Sequence, residues 1–173
     1  CDWSSDVCSS DLNGTSENTF EPGKNITRAD FTILLVRALN LKAEIETSFD
    51  DVKPADYYYN AVAIAEKLGI IRGIGDNKFN PKAQISREDM MVMTVRALKI
   101  AQKALLDGNA EDIKKYGDSD EVSGYAVKAV ATLVKEGIIQ GSNNMLNPKG
   151  TATRAETAVI IYRIYGKQKA LSN

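Results

Sequence analysis

Apolar residues return along this chain at helical spacing in three matched stretches. The first stripe is Phe31, Leu34, Leu35, Ala38 and Leu39. The second is Met90, Met93, Thr94, Ala97 and Leu98. The third is Thr157, Ile160, Ile161, Ile164 and Tyr165. Steps of three and four residues place each set on one face of a helix. Each stripe follows a polar residue, Thr27, Ser86 or Thr153, whose side-chain oxygen suits the unpaired N–H groups of a first turn. Three residues further on stand Asp30, Asp89 and Glu156. Glu156 completes a capping box with Thr153, and the shorter aspartates still favour the positive end of a helix. A second kind of helix precedes two of these, with small and apolar residues at Tyr58, Ala61, Val62, Ala65 and Leu68, and at Ala126, Ala129, Val130 and Leu133. Gly69 and Gly137 follow as helix stops.

These elements belong to one repeating block. Phe20-Glu21-Pro22, Phe79-Asn80-Pro81 and Leu146-Asn147-Pro148 each stand eight residues before an arginine, namely Arg28, Arg87 and Arg154. A second arginine follows nine residues later, at Arg37, Arg96 and Arg163. Phe49-Asp50-Asp51 opens the second copy and Tyr116-Gly117-Asp118 the third. Gly69-Ile70-Ile71-Arg72-Gly73 is matched by Gly137-Ile138-Ile139-Gln140-Gly141. The pattern predicts a partial repeat over 13–48, repeats over 49–100 and 116–166, a connector with a short helix over 101–115, and a tail over 167–173. It predicts an all-α protein of tandem helix–loop–helix units. It leaves room only for short extended pairs near Ile70-Ile71 and Ile138-Ile139.

Residues 1–12 match no repeat. They resemble a translated sequencing adapter joined to a truncated gene, and are read as an artefactual, unstructured leader. Cys1 and Cys8, the two cysteines of the sequence, and Trp3, its one tryptophan, therefore carry no weight. The native start, with any signal peptide, is expected to be missing. The remaining composition excludes more than it suggests. Net charge is −1 and there is no histidine, which removes the commonest metal ligand and general base. No basic face argues for nucleic acid, and no apolar run reaches the length of a membrane span. No phosphate loop or nucleophile motif occurs, so no cofactor and no metal are expected.

The ordered set of motifs resembles the S-layer homology family, over about residues 13–166. The resemblance rests on the Phe-x-Asp opening, the Gly-Ile-Ile-x-Gly turn, the Phe/Leu-x-Pro step and the Thr-Arg-Ala-Glu-like helix start. It implies repeats grouped around a pseudo-threefold helical bundle. It also implies a non-catalytic, extracellular module that anchors surface proteins to an acidic cell-wall polysaccharide, often pyruvylated, through grooves between repeats. The family's ligand-contacting arginine falls on Arg28, Arg87 and Arg154. The Phe-x-Asp aspartate falls on Asp51 and Asp118, and the second glycine of the turn on Gly73 and Gly141. The family's usual tryptophan is replaced by Tyr57 or Tyr58, with Tyr125 the nearby aromatic of the third copy. Thr-Arg-Ala-Asp and Ser-Arg-Glu-Asp depart from the family pattern by a shorter acid, and two workable grooves at most are expected.

The chemistry of those residues is coherent. Arginine binds a carboxylate with a planar fork, and a helix start adds N–H donors and a favourable dipole. Glycine allows close backbone approach, and tyrosine offers a ring face with a polar tip. Competing structural roles stay open: Asp51 and Asp118 between ligand contact and capping the following helix, Gly73 and Gly141 between ligand approach and turn geometry. Arg37, Arg96 and Arg163 read as structural, complementing the negative end of a helix. The acids Asp30, Asp89 and Glu156 sit in separate repeats and form no hydrolytic pair. The alternative function is a protein-interaction or self-assembly module, with self-association through the truncated first repeat.

Overall fold

The computed structural model describes residues 21–101 and 104–170, side chains of 167–170 excepted. The leader 1–12, the opening of the first repeat including Phe20, residues 102–103 of the connector and residues 171–173 of the tail lie outside the described residues.

Among the described residues the secondary structure is helical: α1 (Arg28–Ala38), α2 (Tyr59–Lys67), α3 (Arg87–Ile100), α4 (Val127–Lys135) and α5 (Arg154–Ala170). Two short 3-10 turns, Ala110–Ile113 and Ser119–Glu121, lie between α3 and α4. Thr27 and Ser86 cap α1 and α3 by accepting the N–H of Asp30 and Asp89. At α5 Thr153 accepts from the Glu156 N–H, and the Glu156 carboxylate accepts the Thr153 N–H at 2.9 Å, the reciprocal box read from sequence. Gly69 and Gly137 take positive φ after α2 and α4, where glycine escapes the Cβ clash.

The apolar stripes are wider than the sequence suggested. Ile33 and Val36 on α1, and Val92 and Val95 on α3, are buried along with the expected positions. The reason is that α1 packs against α2 of the next repeat and α3 against α4, so each capped helix is covered on more than one side. The connector docks too. The Gly108 N–H donates to Thr132 Oγ1 at 3.2 Å, and a Cβ at Gly108 would stand 2.2 Å from the Thr132 nitrogen.

Extended pairing occurs mainly just before the capped helices, and one bridge, Ser142 to Met145, follows the Ile138-Ile139 turn. Isolated antiparallel bridges join Asn25 to Thr153, Thr27 to Gln84 and Ser86 to Thr151. The main-chain hydrogen bonds there close on themselves. Ile26 donates to Ala152 at 3.0 Å, Ala152 to Ile85 at 3.0 Å, and Ile85 to Ile26 at 3.1 Å. Those three side chains are buried together.

Candidate functional site

The start of each capped helix lies against the Pro-containing loop of another repeat. The Arg28 and Ala29 N–H groups donate to the Ala83 and Pro81 carbonyls at 2.9 and 3.0 Å. Arg87 and Glu88 repeat this on Gly150 and Pro148, and Arg154 and Ala155 on Lys24 and Pro22. The next N–H goes to the cap side chain, and the fourth goes to the cap carbonyl. The first three N–H groups of each helix, which a helix start leaves unpaired, are therefore taken, and an anion at that place would have to displace one of these bonds.

The motif arginines join the same seam. Arg28 Nε donates to the Phe79 carbonyl at 3.0 Å, Nη1 lies 3.2 Å from Asp89, and the guanidinium stands 4.8 Å from the Phe79 ring centre. Arg87 Nε donates to the Leu146 carbonyl at 2.9 Å, and Nη1 pairs with Glu156. Both arginines are buried. Burial lowers the Arg28 pKa, against the pull of Asp89, Tyr125 and Asp51. Arg154 is half-buried and has partners of its own.

Asp51 and Asp118 hold the other side of the same loops. Asp51 accepts the N–H groups of Phe79 and Asn80 at 2.9 and 2.8 Å. Asp118 accepts those of Leu146 and Asn147 at 2.8 and 2.6 Å. One repeat's aspartate thus fixes the N–H of the Phe/Leu residue, and the preceding repeat's arginine fixes its carbonyl. Neither aspartate caps the helix that follows it by a side-chain bond. Asn80 and Asn147 need this support, since both sit at positive φ.

Gly73 and Gly141 stand where a side chain does not fit. A Cβ on Gly73 would lie 2.8 Å from the Lys78 carbonyl oxygen and 3.0 Å from the Phe49 ring. On Gly141 it would lie 2.6 Å from the Met145 oxygen and 2.7 Å from the Tyr116 ring. The close neighbour is the repeat's own opening aromatic. The second arginines bond the Ile-Ile turn: Arg96 donates to the Ile70 carbonyl at 3.2 Å, and Arg163 to Ile138 at 2.7 Å. One Nη of each thus ties its helix to the turn, which is a different partner from the helix end expected from the sequence.

The residues left facing solvent are different ones. Tyr57 is 74% exposed and Tyr125 60%, whereas Tyr58 is buried. Tyr57 and Tyr125 occupy the same place, two residues before α2 and α4. Tyr57 donates its hydroxyl to Asp30 at 2.8 Å, and Tyr125 to Asp89 at 2.8 Å. Each ring is pinned by the acid of the preceding repeat's capped helix. Partial burial and the Asp30 bond push the Tyr57 pKa up to about 12, and Tyr125 shifts upward for the same reasons.

Arg72 is exposed. Its carbonyl accepts from Arg28 Nη2 at 3.4 Å, and its charge lies close enough to Arg96 to lower the Arg96 pKa, second only to burial. Arg28 and Arg96 therefore lie near Asp89 and Tyr125, with the Arg72 charge beside Arg96. Among the described residues no cluster of acids and cysteines suited to a metal occurs, and no helix is long and apolar enough to cross a membrane.

A family model described as S-layer homology domain matches residues 12–32, 48–91 and 115–158, and the chain belongs to that family. It is 40% identical over 160 residues to the amylopullulanase of Thermoanaerobacterium thermosulfurigenes, covering 90% of this chain and 8% of that protein. It is 39% identical over 164 residues to the exoglucanase XynX of Acetivibrio thermocellus, covering 92% and 15%. It is 31% identical over 156 residues to the surface-layer 125 kDa protein of Lysinibacillus sphaericus, covering 88% and 13%. The chain spans less than a fifth of the length of these relatives. Two proteins named as enzymes and one named as a surface-layer protein thus share this segment.

Proposed function

We propose that this chain is a non-catalytic anchoring module that holds a larger extracellular protein on an acidic cell-wall polysaccharide. Its repeats, over 13–48, 49–100 and 116–166, would surround a pseudo-threefold axis, a reading supported by the closed ring of bonds through Ile26, Ala152 and Ile85. The acid of the polymer, a pyruvate ketal in the favoured version, lies at the junction of the second and third repeats.

The observation that carries the reading is the nearness of Arg28 and Arg96 to one aspartate, Asp89, which also holds an exposed tyrosine ring, with the Arg72 charge beside Arg96. Arg72 raises the cost of charging Arg96, and an anion between them relieves that repulsion. The Tyr125 face is available to a sugar ring while its hydroxyl is held by Asp89. Arg28, Arg87, Asp51, Asp118, Gly73 and Gly141 then serve chiefly by building the junction, and Arg72, Arg96, Tyr57 and Tyr125 meet the ligand. The surface-layer relative and the two enzyme relatives support a shared anchoring segment, because the match covers a small part of each.

The test is co-sedimentation with purified cell-wall polysaccharide before and after its acidic substituents are removed. Retention should fall at least tenfold after removal. Equal retention on both preparations overturns the arginine mechanism. Self-association is a second reading, favoured by Val159: it is 46% exposed on α5, while Ile33 and Val92 at the same register are buried. Concentration-dependent light scattering without polysaccharide retention would select it.

A further inference from the structure

The helix-start motifs of the two described Tyr junctions differ at the cap, Thr27 against Ser86, and at the position after the arginine. The position after the arginine is Ala29 in the first copy, Glu88 in the second and Ala155 in the third. Glu88 is 4% exposed, an unusual place for a carboxylate. Four donors converge on it. The Ser123 N–H and hydroxyl reach it at 3.0 and 2.9 Å, the Tyr125 hydroxyl at 3.2 Å, and the Lys149 ammonium at 2.7 Å. Lys149 also bonds the Ser123 hydroxyl. Burial alone would raise the Glu88 pKa, but the bonds from Lys149 and Ser123 outweigh it and hold the group below the ordinary carboxylate range.

The matching positions beside Tyr57 lack this acid. Lys82 stands in the register of Lys149, directly after Phe-Asn-Pro as Lys149 is after Leu-Asn-Pro, and Ala55 stands in the register of Ser123. The backbone around Ala29 is laid out as it is around Glu88, each N–H donating to a proline carbonyl, Pro81 or Pro148, at 3.0 Å. Both lysines are exposed, and Lys149 has the buried Glu88 carboxylate beside it where Lys82 has Ala29 in that register.

We propose that Glu88 is a specificity-determining internal anion: it fills, from within the chain, a carboxylate site made by Lys149, Ser123 and Tyr125. A ligand acid is thereby turned away from the Lys149 side of Tyr125 and directed to Arg72 and Arg96, whereas beside Tyr57 it meets Lys82. This assignment rests on the anchoring reading for its biological meaning, but not for its test. A buried carboxylate with four donors leaves, once removed, a preorganised pocket for another carboxylate.

The experiment uses acetate, a bare carboxylate, and follows the side-chain resonances of Lys82 and Lys149 in the wild type and in Glu88→Ala. In the wild type, acetate should shift Lys82 and leave Lys149 within experimental scatter. In Glu88→Ala, Lys149 should become acetate-responsive, with at least a tenfold lower midpoint than any response in the wild type. Glu88→Ser also vacates the carboxylate site and should show the same gain if the alanine variant does not fold. An unresponsive Lys149 in the folded variant, or equal responses in wild type and variant, overturns the proposal. Polysaccharide retention is scored separately. A Lys149 gain without wild-type retention leaves Glu88 as assigned and removes the anchoring reading, and retention without the gain does the reverse.

Discussion

Replacing Arg87 by alanine should cost stability before it costs binding. The guanidinium is mostly buried and donates through Nε to the Leu146 carbonyl, while Nη1 pairs with Glu156. A hydrogen bond from a charged group contributes about 1.5–3 kcal/mol, and the stranded carbonyl keeps that cost from being recovered from water. The Glu156 carboxylate is 41% exposed and keeps its own capping box, so the ion pair adds only about 0.5 kcal/mol. A loss of about 3 kcal/mol is expected. For a chain of this length each kcal/mol lowers Tm by about 2–4 °C, which gives a fall of about 6–12 °C in a circular dichroism melt at 222 nm. Arg72→Ala is the contrasting variant. Its side chain is exposed, and the carbonyl that Arg28 uses survives the change. It should stay within about 0.5 kcal/mol of wild type while polysaccharide retention falls. A melt of Arg87→Ala within 2 °C of wild type would refute the seam argument. A charge reversal at Arg87 is consequently a poor probe of binding, because it opens the junction in which the ligand is proposed to sit.

Two further outcomes follow from the same geometry. Gly137→Ala has open space around the new methyl and suffers only from its left-handed backbone, about 1–2 kcal/mol, whereas Gly141→Ala combines a φ of 68° with contacts under 3 Å and should destabilise more. Equal denaturation midpoints for the two would contradict the packing described at Tyr116. The Tyr57 hydroxyl, raised to about 12, stays protonated in the fold through pH 10 or so. The stability linked to it is complete below the unfolded tyrosine pKa and is lost as pH climbs from about 10 toward 12. An ultraviolet titration in which Asp30→Asn leaves the Tyr57 midpoint unmoved would sink that account.

The repeats, their capped helices and the glycine stops were legible because each is written in local spacing: polar cap, apolar stripe, glycine. The partners of the motif residues were not. Arg28 reaches Phe79 and Arg87 reaches Leu146 across 51 and 59 residues of sequence, and periodicity carries no signal at that distance. Recurrence at equal register marked Arg28, Arg87, Asp51 and Asp118 as special, and a repeated seam demands recurrence as strongly as a repeated ligand site does. The free N–H donors assumed at the helix starts are consumed by loops of other repeats, which one copy read alone does not reveal. Tyr125 matched loosely by alignment, yet its hydroxyl bond to Asp89 repeats that of Tyr57 to Asp30. Glu88 could have been noticed as the one acid in a motif position held elsewhere by alanine. Its burial and its pairing with Lys149 are products of packing.

The loop of main-chain contacts from Ile26 to Ala152 to Ile85 and back has a mechanical corollary. An open row of modules yields one contact at a time when its end is tugged. Here the last unit grips the first, so a load applied at the C-terminal helix is divided between two interfaces from the outset. A surface protein that must stay attached under shear gains resistance to peeling from that circular arrangement, and trimming away the third unit would loosen the first.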